Sequence, residues 1–147
     1  MLIQSVSLYF DKKNNVIIFP LWRDDVGLSR NSIKFTKLEA EFVPTELGIE
    51  ILESLKISKR NEYEDINLNA WKEATGLKTW RAFQKKYESV IVDLVDGENW
   101  YIAKYRKLKD GSYGLEKGDE EKYSREYTEP LTAEQLGHIV LEMLAIK

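Results

Sequence analysis

The sequence predicts an α+β domain with a largely antiparallel sheet and helices packed on it. Three observations carry this reading. Short β-branched and aromatic runs recur, with polar loops or Asp-Gly pairs between them. Two longer segments hold apolar residues at helical spacing. Those two segments are also versions of one another.

Ser5 to Phe10 and Val16 to Trp22 are the first two strands, joined by the polar loop Asp11-Lys12-Lys13-Asn14-Asn15. Ile33, Phe35 and Leu38 suggest a third, weaker strand. A helix follows from Pro44 to Ile57, with Leu47, Ile51, Leu52 and Leu55 on one stripe. Proline suits its first position, where a missing N–H needs no partner. In the middle of the chain, Asn69 can cap a short helix through Trp71 and Ala74 that Gly76 stops. Thr79 can cap a second one carrying Trp80, Phe83 and Tyr87. A β-meander comes next: Ser89 to Val95, Trp100 to Leu108 and Ser112 to Leu115. Its turns, Asp96-Gly97 and Asp110-Gly111, favour the positive φ angles that tight hairpins need. A polar stretch from Glu116 to Glu129 leads to a closing helix from Ala133 to Ala145.

The echo between the halves is specific in register. Leu47-Gly48, Ile51-Leu52-Glu53, Leu55 and Ile57 match Leu136-Gly137, Val140-Leu141-Glu142, Leu144 and Ile146, each 89 residues on. Ser5-Val6 and Asn15-Val16-Ile17-Ile18 match Ser89-Val90 and Asn99-Trp100-Tyr101-Ile102, each 84 residues on. One reading is a duplicated strand–strand–strand–helix unit, residues 5–58 and 89–147, with a helical insert at 67–87. The other is the vocabulary that amphipathic helices share. Glycine within a helix costs about 1 kcal/mol against alanine, so Gly48 and Gly137 at matching places predict helix backbones pressed close against a sheet.

A chain of 147 residues fits one domain, residues 1–147. Its 43% hydrophobic and 32% charged content is that of a folded protein. The net charge of −3 argues against a general nucleic-acid binder. No cysteine is present, which removes disulfides, thiolate zinc sites and a cysteine nucleophile. His138 is the only histidine, and as the counterpart of Ile49 it is expected at a partly buried or boundary position. No nucleophile elbow, phosphate loop or dinucleotide fingerprint occurs, so neither catalytic residues nor a cofactor are expected. The N-terminus lacks the basic and apolar regions of a signal peptide. No apolar run approaches the roughly 20 residues that span a bilayer. The expectation is a cytoplasmic monomer that touches neither membrane nor nucleic acid.

Two surface features remain. Between Trp71 and Lys86, the bases Lys72, Lys78, Arg81, Lys85 and Lys86 face Glu73 alone, which allows a helix-turn-helix reading. A charged outer face on a packed helical insert is the plainer account. Toward the C-terminus, Glu116, Asp119, Glu120, Glu121, Glu126, Glu129 and Glu134 outnumber Lys117, Lys122 and Arg125, with tyrosines interleaved. Acids among aromatic anchors suit docking of a basic partner, although a solvated connection has the same composition. Asp24 and Asp25 beside Trp22 form a second such spot. The candidate interface residues are Asp24, Asp25, Glu116, Asp119, Glu120, Tyr123 and Tyr127.

The chain resembles one family of bacterial contact-dependent growth inhibition immunity proteins. The resemblance runs from Ser5-Val6-Ser7-Leu8-Tyr9-Phe10 through Val16-Ile17-Ile18-Phe19-Pro20 to Thr45-Glu46-Leu47-Gly48. It continues through Trp80-Arg81-Ala82-Phe83 into the strand after Ser89 and ends in Glu134-Gln135-Leu136-Gly137. What the resemblance implies is binding of the toxic C-terminal domain of a large surface-delivered protein, with its active site blocked. Such toxins are often nucleases, and some are of EndoU RNase type. No functional motif comes with the resemblance, so it assigns no residue.

Overall fold

Alternation along four long strands decides the layering of the molecule. The computed structural model describes all 147 residues. Strands β1 (Ile3–Phe10), β2 (Val16–Arg23), β5 (Glu88–Val95) and β6 (Asn99–Lys107) form the sheet centre in the order β2-β1-β5-β6. On β1, Val6, Leu8 and Phe10 point to one face and Ser5, Ser7 and Tyr9 to the other. Short strands β3 (Ser29–Asn31) and β4 (Thr36–Leu38) add to β2 at one edge. At the other edge β7 (Tyr113–Gly114) and β8 (Ser124–Tyr127) add to β6. Every pairing is antiparallel.

The third strand expected over Ile33, Phe35 and Leu38 is two short ones with an irregular link. Ile33 lies in that link and is exposed, while Glu64 accepts hydrogen bonds from Ser32 Oγ and Ile33 N. The stretch from Glu116 to Glu129, expected as a polar connection, contains the one-turn helix α4 (Glu120–Tyr123) and strand β8. The turns divide too. Asp96 and Gly97 both have positive φ, 53° and 70°, whereas at Asp110-Gly111 only the glycine does, at 92°.

Helices α1 (Pro44–Arg60) and α5 (Ala133–Leu144) cover one face, called here the front. Leu47, Ile51 and Leu55 of α1 and Leu136, Val140 and Met143 of α5 meet Val6, Leu8, Ile18, Val90, Val92 and Ile102 in one core. Both helices begin with matching caps. Glu46 accepts from Val43 N, and Gln135 accepts from Thr132 N while Thr132 Oγ1 accepts from Gln135 N. The first helix outruns its expected end at Ile57 by a turn. Asn61, in the left-handed conformation, stops it and binds both backbone groups of Arg23.

The back face is covered differently in its two halves. Helices α2 (Ala70–Thr75) and α3 (Trp80–Lys86) lie over β1 and β2, packing Ala70, Ala74, Phe83 and Tyr87 on Tyr9, Ile17 and Phe19. Thr79 caps α3 by accepting from Ala82 N, and Gly76 ends α2, both at the positions the sequence indicates. Asn69 stands at the start of α2 but makes no side-chain cap bond.

Strand register is the same in both halves. Leu8 pairs with Ile18 on one side, and Val92 with Ile102, 84 residues on, on the other. Ile18 pairs with Thr36 and Ile102 with Arg125, so the third strands correspond at 89. The five-residue difference falls between β7 and β8. Ser7 pairs with Ile91, its own counterpart, which places a local twofold axis between β1 and β5.

Gly48 and Gly137 do not face the sheet as expected; each faces the start of the other helix. A Cβ on Gly48 would sit 1.8 Å from the Ala133 carbonyl oxygen, and one on Gly137 1.8 Å from that of Pro44. Pro44 and Ala133 are the first residues of α1 and α5, so the contact is reciprocal.

Candidate protein-interaction site

The two acidic spots singled out in the sequence lie at opposite edges of the sheet. Five strand spacings separate β3 from β7, roughly 24 Å. In the turn between β2 and β3, the Asp24 side chain is only 10% exposed. Its carboxylate accepts from Val26 N and Leu28 N and from Arg30 Nε at 2.8 Å. The Arg30 bond holds its pKa below the usual carboxylate range. Asp24 therefore builds the turn, and Asp25 is left on the surface. Trp22 is buried; the exposed aromatic beside it is Tyr63, its ring 5.7 Å away. Asp25 pushes the Tyr63 hydroxyl pKa upward through a hydrogen bond and its charge.

At the other edge, Asp119 accepts from Glu116 N at 2.8 Å and from Arg106 Nη1 at 3.1 Å. The backbone bond first and the guanidinium second depress its pKa. Glu116 stays exposed, 3.7 Å from Arg106. Glu120 accepts from Tyr101 Oη and Ser124 Oγ, both at 2.9 Å. Tyr123 lies under the cations of Arg106 and Lys122. Tyr127 turns to the front face and packs against the main core. Thus Glu116, Asp119, Glu120 and Tyr123 stand together around α4, and Tyr127 faces away.

The sequence reading missed a region of the back face beside the insert, where small side chains lie buried between half-buried tyrosines. Three cross-strand rows make it: Ser5, Asp93, Tyr101 and Glu126; Ser7, Ile91, Ala103 and Ser124; and Ser89 with Tyr105, which Tyr9 joins from under the insert. The same face is apolar over β2, where α2 and α3 cover Ile17 and Phe19. Beyond their reach it turns to serine, tyrosine and acid. Where the rows meet the insert, a cavity of about 440 Å³ is lined by Ser7, Ser89, Tyr105, Trp80 and Tyr113. Glu120 borders the rows from α4, accepting from Tyr101 Oη.

The fold has counterparts among solved structures. The chain superposes on a protein of unknown function from Neisseria meningitidis with a TM-score of 0.68, covering 97% of this chain and 93% of that one at 14% identity. It superposes equally on a chain of the CdiA-CT/CdiI toxin and immunity complex from Yersinia pseudotuberculosis. There the TM-score is 0.67 at 12% identity, over 99% of this chain and 97% of that one. The fold is shared from end to end. No known family profile matches the sequence, and no curated protein does.

The remaining candidate chemistry is dispersed. His138 is exposed, not at the boundary position expected from Ile49, which is itself exposed; its Nε2 lies 3.9 Å from Glu134. No three His, Asp or Glu side chains gather where they could hold a metal ion. No helix is long and apolar enough to cross a membrane. A basic cavity of about 550 Å³ sits between the first hairpin and α3, lined by Lys12, Lys13, Lys85 and Lys86. Its one acid, Asp11, is taken up by Lys13 N, Asn15 N and Asn15 Nδ2.

Asp93 is a half-buried acid within these rows. Burial raises its pKa, against the smaller effects of a Ser5 hydrogen bond and the Arg23 charge. Its Oδ1 is buried and lacks a hydrogen-bond partner. A carboxyl whose pKa rises on folding supports the fold while protonated, and that support fades as pH climbs through the raised value. Asp93→Asn keeps the shape without the charge. It is expected to melt higher than the parent at about pH 7 and to lose that advantage at about pH 3. Thermal melts of both proteins across pH check this; an equal difference at both ends would contradict it.

Proposed function

We propose that this chain is an immunity protein, which binds the toxic C-terminal domain of a contact-dependent growth inhibition protein and blocks its active site. The observation that carries the reading is the end-to-end likeness to a chain of a toxin and immunity complex. The molecule's own surface is compatible. Half-buried tyrosines line a cavity of the back face beside the insert, and exposed acids stand at the sheet edge around α4, an arrangement suited to a macromolecule. The toxin fitting this reading is a nuclease, with an EndoU-type RNase the specific expectation. Nucleases are basic where they hold phosphates, and the carboxylates here can take the place of those phosphates. Inhibition is then stoichiometric, and the immunity protein acts in the cytoplasm as a monomer without a cofactor.

The test is co-expression with the C-terminal domain of any contact-dependent growth inhibition protein encoded beside this chain. Cells making the toxin alone should stop growing, and cells making both should grow at the control rate. Continued arrest at matched expression would reject the proposal.

The lysine-lined cavity between the first hairpin and α3 favours a second reading, a nucleic-acid-binding module that also uses Lys78 and Arg81. Such binding is sequence-independent and falls steeply with salt. A shift of duplex DNA or RNA persisting at physiological salt would support it, and under the immunity reading none is expected.

A further inference from the structure

We infer that the toxin docks over the back face beside the insert and places a basic side chain, arginine or lysine, in the cavity beside Tyr105. The inference rests on the immunity reading and names the surface and the chemistry of its partner. Charge complementarity is the first argument. The three rows contain Asp93 and Glu126, Glu120 borders them, and no lysine or arginine belongs to them. Arg23, at the end of β2, is the one cation acting on Asp93.

The cavity lining is the second argument. Tyr9, Tyr105, Tyr113 and Trp80 surround a floor of Ser7 and Ser89. Aromatic faces attract a cation, while serine hydroxyls can accept its N–H groups. The Tyr9–Tyr113 and Trp80–Tyr113 ring pairs, 5.3 and 5.8 Å between centroids, hold the wall in place without the partner. Preformed walls reduce the ordering cost of binding.

The third argument is the unmet carboxylate. Asp93 Oδ1 is the one buried side-chain polar atom without a hydrogen-bond partner. Burial first, and the charges of Asp93 and Glu120 after it, push the Tyr105 hydroxyl pKa upward, so both carboxylates contribute negative potential there. A guanidinium beside Tyr105 would meet that field. An anion would meet repulsion. This separates the face from the lysine-lined cavity beside the first hairpin.

The test uses the full chain labelled for NMR, with N-acetyl-arginine methylamide as the probe and N-acetyl-glutamate methylamide as its control. Saturable shifts in the millimolar range are expected at Ser89, Asp93 and Tyr105 with the arginine probe alone. Asp93→Asn, which preserves shape, should weaken them several-fold, and Tyr105→Ala should abolish them in a folded spectrum. Absent shifts, shifts elsewhere, or equal shifts from glutamate would overturn the inference. A second arm measures binding of the toxin domain. Arginine binding here with no toxin complex would keep the cation site but remove both docking and the immunity reading. A tight complex insensitive to both substitutions would leave immunity standing and place its interface on another surface.

Discussion

Gly48→Ala and Gly137→Ala are each expected to destabilise the protein by about 3 kcal/mol, against the gain of about 1 kcal/mol that helix propensity alone assigns to alanine. The sign is diagnostic. Each new methyl would lie 1.8 Å from a backbone carbonyl oxygen of the facing helix, and a backbone atom cannot rotate aside. Relief requires α1 and α5 to separate, which opens gaps around Leu47 and Leu136 in the shared core. For a chain of this size the melting temperature should fall by roughly 10 °C. The reciprocal contact predicts similar losses at both sites. It also predicts that the double variant loses less than the sum, because either methyl alone already forces the helices apart. Unchanged or raised melting temperatures would show that the helices do not meet as described.

Phe83→Ala should cost about 3–5 kcal/mol, the usual range for removing a buried phenylalanine. Phe83 is fully buried in the smaller core and touches the rings of Tyr9, Trp71, Trp80 and Tyr87. It is the main side chain fastening α3 to the sheet. Its removal leaves α2 and α3 too short to persist on propensity alone. Backbone amides of the insert should then exchange with solvent much faster than those of β1 and β5. Chemical denaturation and hydrogen exchange give both readouts. A loss under about 1 kcal/mol, with insert amides still protected, would mean that the smaller core does not hold the insert.

Much of the fold was legible because each element carried two agreeing signals. Pro44 announced a helix whose apolar stripe then followed. Asp96-Gly97 sat between runs of alternating apolar residues, and both residues adopt the positive φ of a tight turn. Strand β8 was hidden because Ser124, Arg125, Glu126 and Tyr127 alternate only weakly in polarity; Arg125 and Tyr127 face the helices in place of aliphatic residues. The expected third strand failed for the opposite reason. Ile33 and Phe35 are β-formers, but the chain between β3 and β4 is held by Glu64, far along the sequence. The glycines showed that something approaches closely, and spacing cannot say whether it is sheet or helix.

The candidate site was legible in composition more than in place. Acid–tyrosine clustering identified the α4 corner, where Glu116, Asp119, Glu120 and Tyr123 do gather. It did not distinguish carboxylates consumed by the fold, such as Asp24, from those left over. Asp93 and Tyr105 were read as ordinary strand residues. Their place beside the insert follows from which part of the back face α2 and α3 cover, and only the assembled sheet determines that.

Titration calorimetry of the purified chain with the purified toxin domain bears most directly on the central claim. Saturation at one molecule per toxin, nanomolar affinity and a parallel loss of toxin activity are the predicted result. No binding at micromolar concentrations, or inhibition reached with far fewer chains than toxins, would contradict it.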